Sequence, residues 1–72
     1  MPLAIIKVIE GVLTGDEKQQ MIEKVTEAMV SVEGENLRDK TVVILEEVKS
    51  GDWGIGGQTM TAEHVKQVRT SR

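Results

Sequence analysis

Pro2 is the only proline in the chain and stands directly after Met1. A small second residue such as Pro permits removal of the initiator Met. Without Met1, Pro2 carries a free secondary amine at the mouth of the apolar stretch Leu3-Ala4-Ile5-Ile6. A low-dielectric setting destabilises the protonated amine and lowers its pKa. An amine tuned toward neutral pH can serve as a general base. With Met1 retained, Pro2 is a tertiary amide and has no basic lone pair. The plainer reading is that Pro2 opens a strand, where its missing N–H costs nothing. Composition alone favours that reading.

The other candidates are weaker taken singly. Four of the ten residues from Lys49 to Gln58 are Gly. The stretch lacks the Gly-Lys-Ser/Thr ending of a phosphate loop, and no strong helix follows it at once, which sets nucleotide binding aside. His64 is the only histidine and there is no cysteine, so a metal site has too few ligands and a solvated surface His is the better reading. Glu46 and Glu47 are adjacent on an expected strand and point to opposite faces, so they do not make a paired-carboxylate site. Lys7, Arg38, Lys40, Arg69 and Arg72 are cations that could hold an acidic substrate, the arginines bidentately. For each one alone, a solvated surface charge is the plainer reading. The lone Trp53 is the one aromatic residue.

The elements that must position these residues follow from patterning. Leu3 to Ile9 is short, β-branched and apolar on both faces apart from Lys7, which reads as a strand covered on both sides. Thr14 and Glu17 have capping-box spacing. Asp16 and Glu17 place negative charge where the helix dipole favours it. Met21, Ile22, Val25, Ala28, Met29 and Val32 then recur at helical spacing, with Met21 and Met29 expected in the core. The predicted helix runs from Asp16 to Glu33, with Gly34 as its stop. A polar link from Glu35 to Lys40 leads to a second strand, Thr41 to Val48. Strand, helix and strand make a right-handed βαβ unit with parallel strands. One helix covers one face of a two-stranded sheet, so the other face needs a second subunit. The Gly-rich stretch predicts tight turns. Ala62 to Arg69 has the pattern of a helical turn or two, and Thr70-Ser71-Arg72 is expected to be loose.

Length and composition bound the function. The chain has 72 residues and 7.9 kDa, which reads as one domain over residues 1–72. A chain of this size buries only about 60% of its unfolded surface, and without disulfides the usual remedy is oligomerisation. With 39% hydrophobic and 29% charged residues, the composition is globular rather than disordered. A net charge of −3 argues against nucleic acid as the main partner. No apolar run is long enough to span a membrane. No signal peptide is visible, and the absence of cysteine fits a cytoplasmic protein.

Taken in order, the features match a known pattern. They are Met1-Pro2, a strand ending in Glu10-Gly11, a helix with Asp16-Glu17-Lys18-Gln19 and Glu23-Lys24-Val25-Thr26-Glu27-Ala28, then Val42-Val43-Ile44-Leu45-Glu46-Glu47 and Trp53-Gly54-Ile55-Gly56-Gly57. From Pro2 to about Gln58 the chain resembles the 4-oxalocrotonate tautomerase family, the short-chain branch of the tautomerase superfamily. The resemblance implies a β-α-β subunit with a C-terminal Gly-rich hairpin that oligomerises through sheet and hairpin into a homohexamer, a trimer of dimers. It implies that Pro2, as general base, shuttles a proton between carbon and oxygen of a 2-keto or 2-hydroxydienoate acid, with no cofactor. Trp53 would take the place of the family's aromatic wall beside the proline, and the hairpin would border the site from a neighbouring subunit.

Two departures bear on activity. Where the resemblance implies an arginine just after Glu10-Gly11, this chain has Val12 or Leu13. Where it implies one at the start of strand two, this chain has Val42 or Thr41. Loss of an arginine clamp lowers activity or changes the substrate. Arg38 or Lys40 could compensate, which makes Arg38 a candidate substrate-binding residue. The expected reaction is therefore a modest tautomerisation of a monocarboxylate enol. One alternative is water addition to an unsaturated acid, of hydratase or dehalogenase type, for which no water-activating carboxylate stands out. Another is a non-catalytic partner in a mixed oligomer.

Overall fold

Seven residues from Leu3 to Ile9 form strand β1, and seven from Val42 to Val48 form strand β2. They pair in parallel, with Leu3 opposite Val42 and Ile9 opposite Val48. The structure is a computed structural model that describes residues 2–71. Met1 and Arg72, named above, lie outside the described residues. The ladder extends past both ends of the strands. Val42 N–H donates to the Pro2 carbonyl at 3.1 Å, and Glu10 N–H donates to the Val48 carbonyl at 2.7 Å. Backbone pairing thus fixes Pro2 at one end of the sheet.

Helix α1 (Gly15–Glu33) makes the crossover. The capping box forms as its spacing predicts. Glu17 N–H donates to Thr14 Oγ1 at 3.1 Å, and Thr14 N–H donates to Glu17 Oε1 at 3.0 Å. Gly34 ends the helix with φ of 108°, a conformation that only Gly adopts without strain. The link to β2 is not irregular but a 3₁₀ segment, Glu35–Lys40.

Side chains alternate across the sheet, so register assigns the faces. Ala4, Ile6 and Val8 share a face with Val43, Leu45 and Glu47. That face meets α1, where Lys18 Nζ lies 2.9 Å from Glu47. The opposite face carries Leu3, Ile5 and Ile44, which are 55%, 53% and 38% exposed. Lys7 and Glu46 lie on it too, 3.8 Å apart. The two adjacent glutamates therefore split between faces, as strand geometry requires. An apolar face predicted to need cover is open in the subunit.

The helix core differs from expectation. Val30 is 4% exposed, whereas Met21 and Met29 are only half-buried and Val32 is 89% exposed. Two strands about 4.8 Å apart are narrower than the apolar stripe of α1. The uncovered part of the stripe lines an open groove of about 770 Å³ along Met21, Val25, Ala28, Met29 and Val32. The subunit is correspondingly elongated. Its extents are 42 × 25 × 19 Å and its radius of gyration is 14.8 Å. A compact chain of this length has a radius of about 11 Å.

A hairpin follows β2. Strands β3 (Trp53–Ile55) and β4 (Gln58–Met60) pair antiparallel across Gly56-Gly57. Both turn residues have positive φ, 60° and 85°, which a two-residue turn of the primed type needs. Helix α2 (Ala62–Thr70) then runs longer than the turn or two expected, and takes in Thr70. Thr61 caps it by accepting from His64 N–H at 3.2 Å. Ala62 is buried, and its N–H donates to Ser50 Oγ at 2.9 Å. A Cβ added at Gly11 would lie 3.7 Å from Ala62 Cβ, so α2 sits close against the turn after β1.

Candidate functional site

Pro2 is half-buried at the N-terminal end of β1, next to the exposed Leu3. Thr41 precedes the strand beside it. Its hydroxyl reaches the Leu37 carbonyl at 2.8 Å and the Glu33 carboxylate, which ties the start of β2 to the end of α1.

Trp53 lies at the other end. It lines a cavity of about 380 Å³ with Lys7, Val8, Ile9, Val12 and Leu13. The seven residues of β1 separate the two ends by about 20 Å at the usual strand rise. Within one subunit, then, Pro2 and Trp53 do not meet. The sequence reading placed them side by side, which needs a second subunit.

Arg38 lies in the 3₁₀ segment, with four hydrogen bonds from its guanidinium to two glutamates. Nη1 and Nη2 donate to Glu27 at 2.6 and 3.1 Å, and Nε and Nη2 donate to Glu35 at 2.7 and 3.1 Å. These hydrogen bonds hold both carboxyls below their ordinary range and raise the arginine further. A substrate carboxylate could take a two-pronged grip on Arg38 only by displacing one of these glutamates. Lys40 and His64 are exposed. Among the described residues, no group of three His, Cys, Asp or Glu side chains could hold a metal. Among them, too, no helix is long and apolar enough to cross a membrane.

One arrangement has no counterpart in the sequence reading. Arg69, on α2, forms a two-pronged ion pair with Glu17, on α1, and donates to the Val12 carbonyl at 3.3 Å. The hydrogen bond from Arg69, helped by Thr14 N–H, lowers the Glu17 carboxyl to about 2. Glu17 thus caps α1 and anchors α2 at once. The pair is separated by 52 residues. No local spacing rule reports a contact of that span, although both residues were visible as charges.

A parallel β-α-β unit, an N-terminal proline on its sheet edge and a Gly-rich hairpin define a small tautomerase-like subunit. Comparison with known proteins agrees. The family model described as tautomerase enzyme matches residues 2–63. A probable tautomerase, K2, of Dickeya dadantii is 39% identical over 61 residues, covering 85% of this chain and 90% of that protein. The 2-hydroxymuconate tautomerase of Bacillus subtilis is 33% identical over 61 residues, covering 85% and 95% of the two chains. Among solved structures, a 4-oxalocrotonate tautomerase isozyme of Methylibium petroleiphilum superposes with a TM-score of 0.73 at 38% identity, covering 89% of this chain and 97% of that one. The chain belongs to the tautomerase family, whose members are isomerases.

Proposed function

We propose that the chain is a keto–enol tautomerase in which Pro2, freed of Met1, is the general base. Its secondary amine takes the hydroxyl proton of a 2-hydroxydienoate or simple enol acid and returns a proton to carbon, leaving the 2-keto acid. Membership of the tautomerase family, together with a half-buried Pro2 fixed by the Val42 N–H at an open apolar sheet edge, is the observation that carries this reading. The protein needs no cofactor in this scheme and works in the cytoplasm.

The site is completed between subunits, with Pro2 of one facing Trp53 of another. The exposed Leu3, Ile5 and Ile44 and the apolar groove along α1 supply the surfaces for a homohexamer. These side chains are already about half buried, so covering the remainder of each stabilises the assembly by about 1 kcal/mol. Arg38 enters the scheme as an exchange site, where the substrate carboxylate replaces Glu35 or Glu27. A KM unchanged in Arg38→Ala removes it from the scheme.

The test is the ketonisation of 2-hydroxymuconate or phenylenolpyruvate, followed by ultraviolet absorbance. Protein shown by mass to lack Met1 is compared with Pro2→Ala. A rate that vanishes in the variant is expected, and equal rates overturn the reading.

A further inference from the structure

Of the twelve acidic residues, only Glu17 and Glu33 are half-buried, and the rest are exposed. Glu17 has Arg69 as its counter-charge. Glu33 has no cation within ion-pair distance among the described residues. A carboxylate drawn partly out of water without a counter-charge is unfavourable. Its place in the helix adds to this. Glu33 is the last residue of α1, where the helix dipole is negative, and the last turn holds no basic residue. A side chain that breaks two local rules at once marks a functional position.

The cation it lacks has a place nearby. Glu33 Oε1 binds the Thr41 hydroxyl. Thr41 continues the β1–β2 register opposite Pro2, whose carbonyl accepts from Val42 N–H at 3.1 Å. Paired strands lie about 4.8 Å apart. Alternation puts Pro2 on the face of Ala4 and Thr41 on the face of Val43, the face that α1 covers. Glu33 is therefore one hydrogen bond from the residue opposite Pro2, and on the same side of the sheet. The other charges at this end are paired or offset. Arg38 is bound to Glu27 and Glu35, and Asp39 and Lys40 are exposed neighbours of opposite sign. The first charges on the strands, Lys7 and Glu46, lie toward the far end and on the opposite face.

We propose that Glu33, held by Thr41, is the counterion of the Pro2 amine and sets the pH at which that amine passes from acid to base. The inference rests on the tautomerase reading for the free amine and deepens it by naming a positioning residue. A fixed negative charge beside an amine favours the protonated form and raises its pKa, against the lowering that apolar surroundings produce. Glu33 thus steadies the ammonium formed when Pro2 takes the hydroxyl proton of the enol, until that proton passes to carbon.

Pro2 is the only proline, so ¹⁵N-labelled proline puts a single reporter on the amine itself. The labelled protein, shown by mass to lack Met1, is titrated by NMR. Glu33→Gln is expected to lower the midpoint of the amine by about one pH unit, the lower end of what a neighbouring charge does. Thr41→Val, which frees the carboxylate, should lower it by less, and Thr41→Ser, which keeps the hydroxyl, should leave it near its original place. Glu23→Gln removes the same charge from the exposed face of the same helix and should not move it. The acid limb of the ketonisation profile should shift to lower pH together with the midpoint. An unchanged midpoint in Glu33→Gln overturns the proposal, and so does an equal fall in Glu23→Gln. The titration needs no substrate, which separates the two readings. A midpoint that falls in Glu33→Gln, in a protein with no Pro2-dependent ketonisation, removes the tautomerase reading and keeps the counterion. Pro2-dependent ketonisation with an unmoved midpoint does the reverse.

Discussion

Pro2 and Trp53 close opposite ends of one strand, and their surroundings are built in opposite ways. At the Pro2 end, one face of the sheet stands open, with Leu3 and Ile5 more than half exposed. At the Trp53 end, Ile9 is buried at 7% exposure, and residues of the hairpin, α2 and the turn after β1 line an open pocket. One end carries the candidate base without walls. The other carries walls and a cation without a base. On the proposed reading, a single copy of this chain holds two halves of a site and not a whole one.

The largest expected effect comes from removing the base. Pro2→Ala should lower kcat by about 10²–10⁴-fold, the usual range for a positioned general base. Trp53 emission should shift in the assembled protein, where Pro2 of one subunit faces Trp53 of another. Unchanged emission would mean that Pro2 and Trp53 do not share a site. The next effect comes from keeping the halves apart. Ile5→Asp puts a charge on the open sheet face and should break the assembly, as seen by light scattering on a sizing column. Activity should then fall about a hundredfold, as it does when reacting groups lose their alignment. Dispersed subunits with full activity would place a complete site in one chain.

A third test addresses the walled end by acid. The Glu17 carboxyl sits at about 2 in the folded chain, against an ordinary value of 4.5. A lowered pKa gives stability that is whole above the unfolded value and is lost as the pH falls through the folded one. The Arg69–Glu17 tie between α2 and α1 should therefore hold at neutral pH and loosen between about 4.5 and 2, with Trp53 emission moving to the red. In Glu17→Gln the emission should be flat across that window. The smallest effect concerns Arg38. Glu35→Gln relaxes one of its two carboxylate partners and should lower KM for an enol acid by less than about threefold, since exposed ion pairs are weak. No change in KM would confine Arg38 to tying the 3₁₀ segment to α1.

The elements were legible wherever a local rule acts. β1 was predicted at its observed bounds, and α1 starts one residue earlier than the capping box alone indicated. Gly34 stops α1 as expected. Glu46 and Glu47 fell to opposite faces because strand alternation leaves no choice. What escaped was long-range. Periodicity marked Met29 and Val32 as apolar but could not say that the sheet is too narrow to cover them. Arg69 could be read only as a charge, because its partner Glu17 lies 52 residues away and no spacing rule joins them. Trp53 was singled out as the lone aromatic residue. Its distance from Pro2 emerged only when the hairpin was seen to fold back on the far end of β1.

The elongated outline of the subunit carries a consequence for how the protein persists in a cell. A chain with a radius of gyration of 14.8 Å and an open aliphatic sheet face has no complete interior of its own. On the proposed assembly its native state is governed by mass action, so its melting temperature should climb as the solution is concentrated and sink on dilution. Expression level then acts as a thermodynamic variable. Copies too scarce to find one another would be lost to unfolding and proteolysis before they were lost to inactivity.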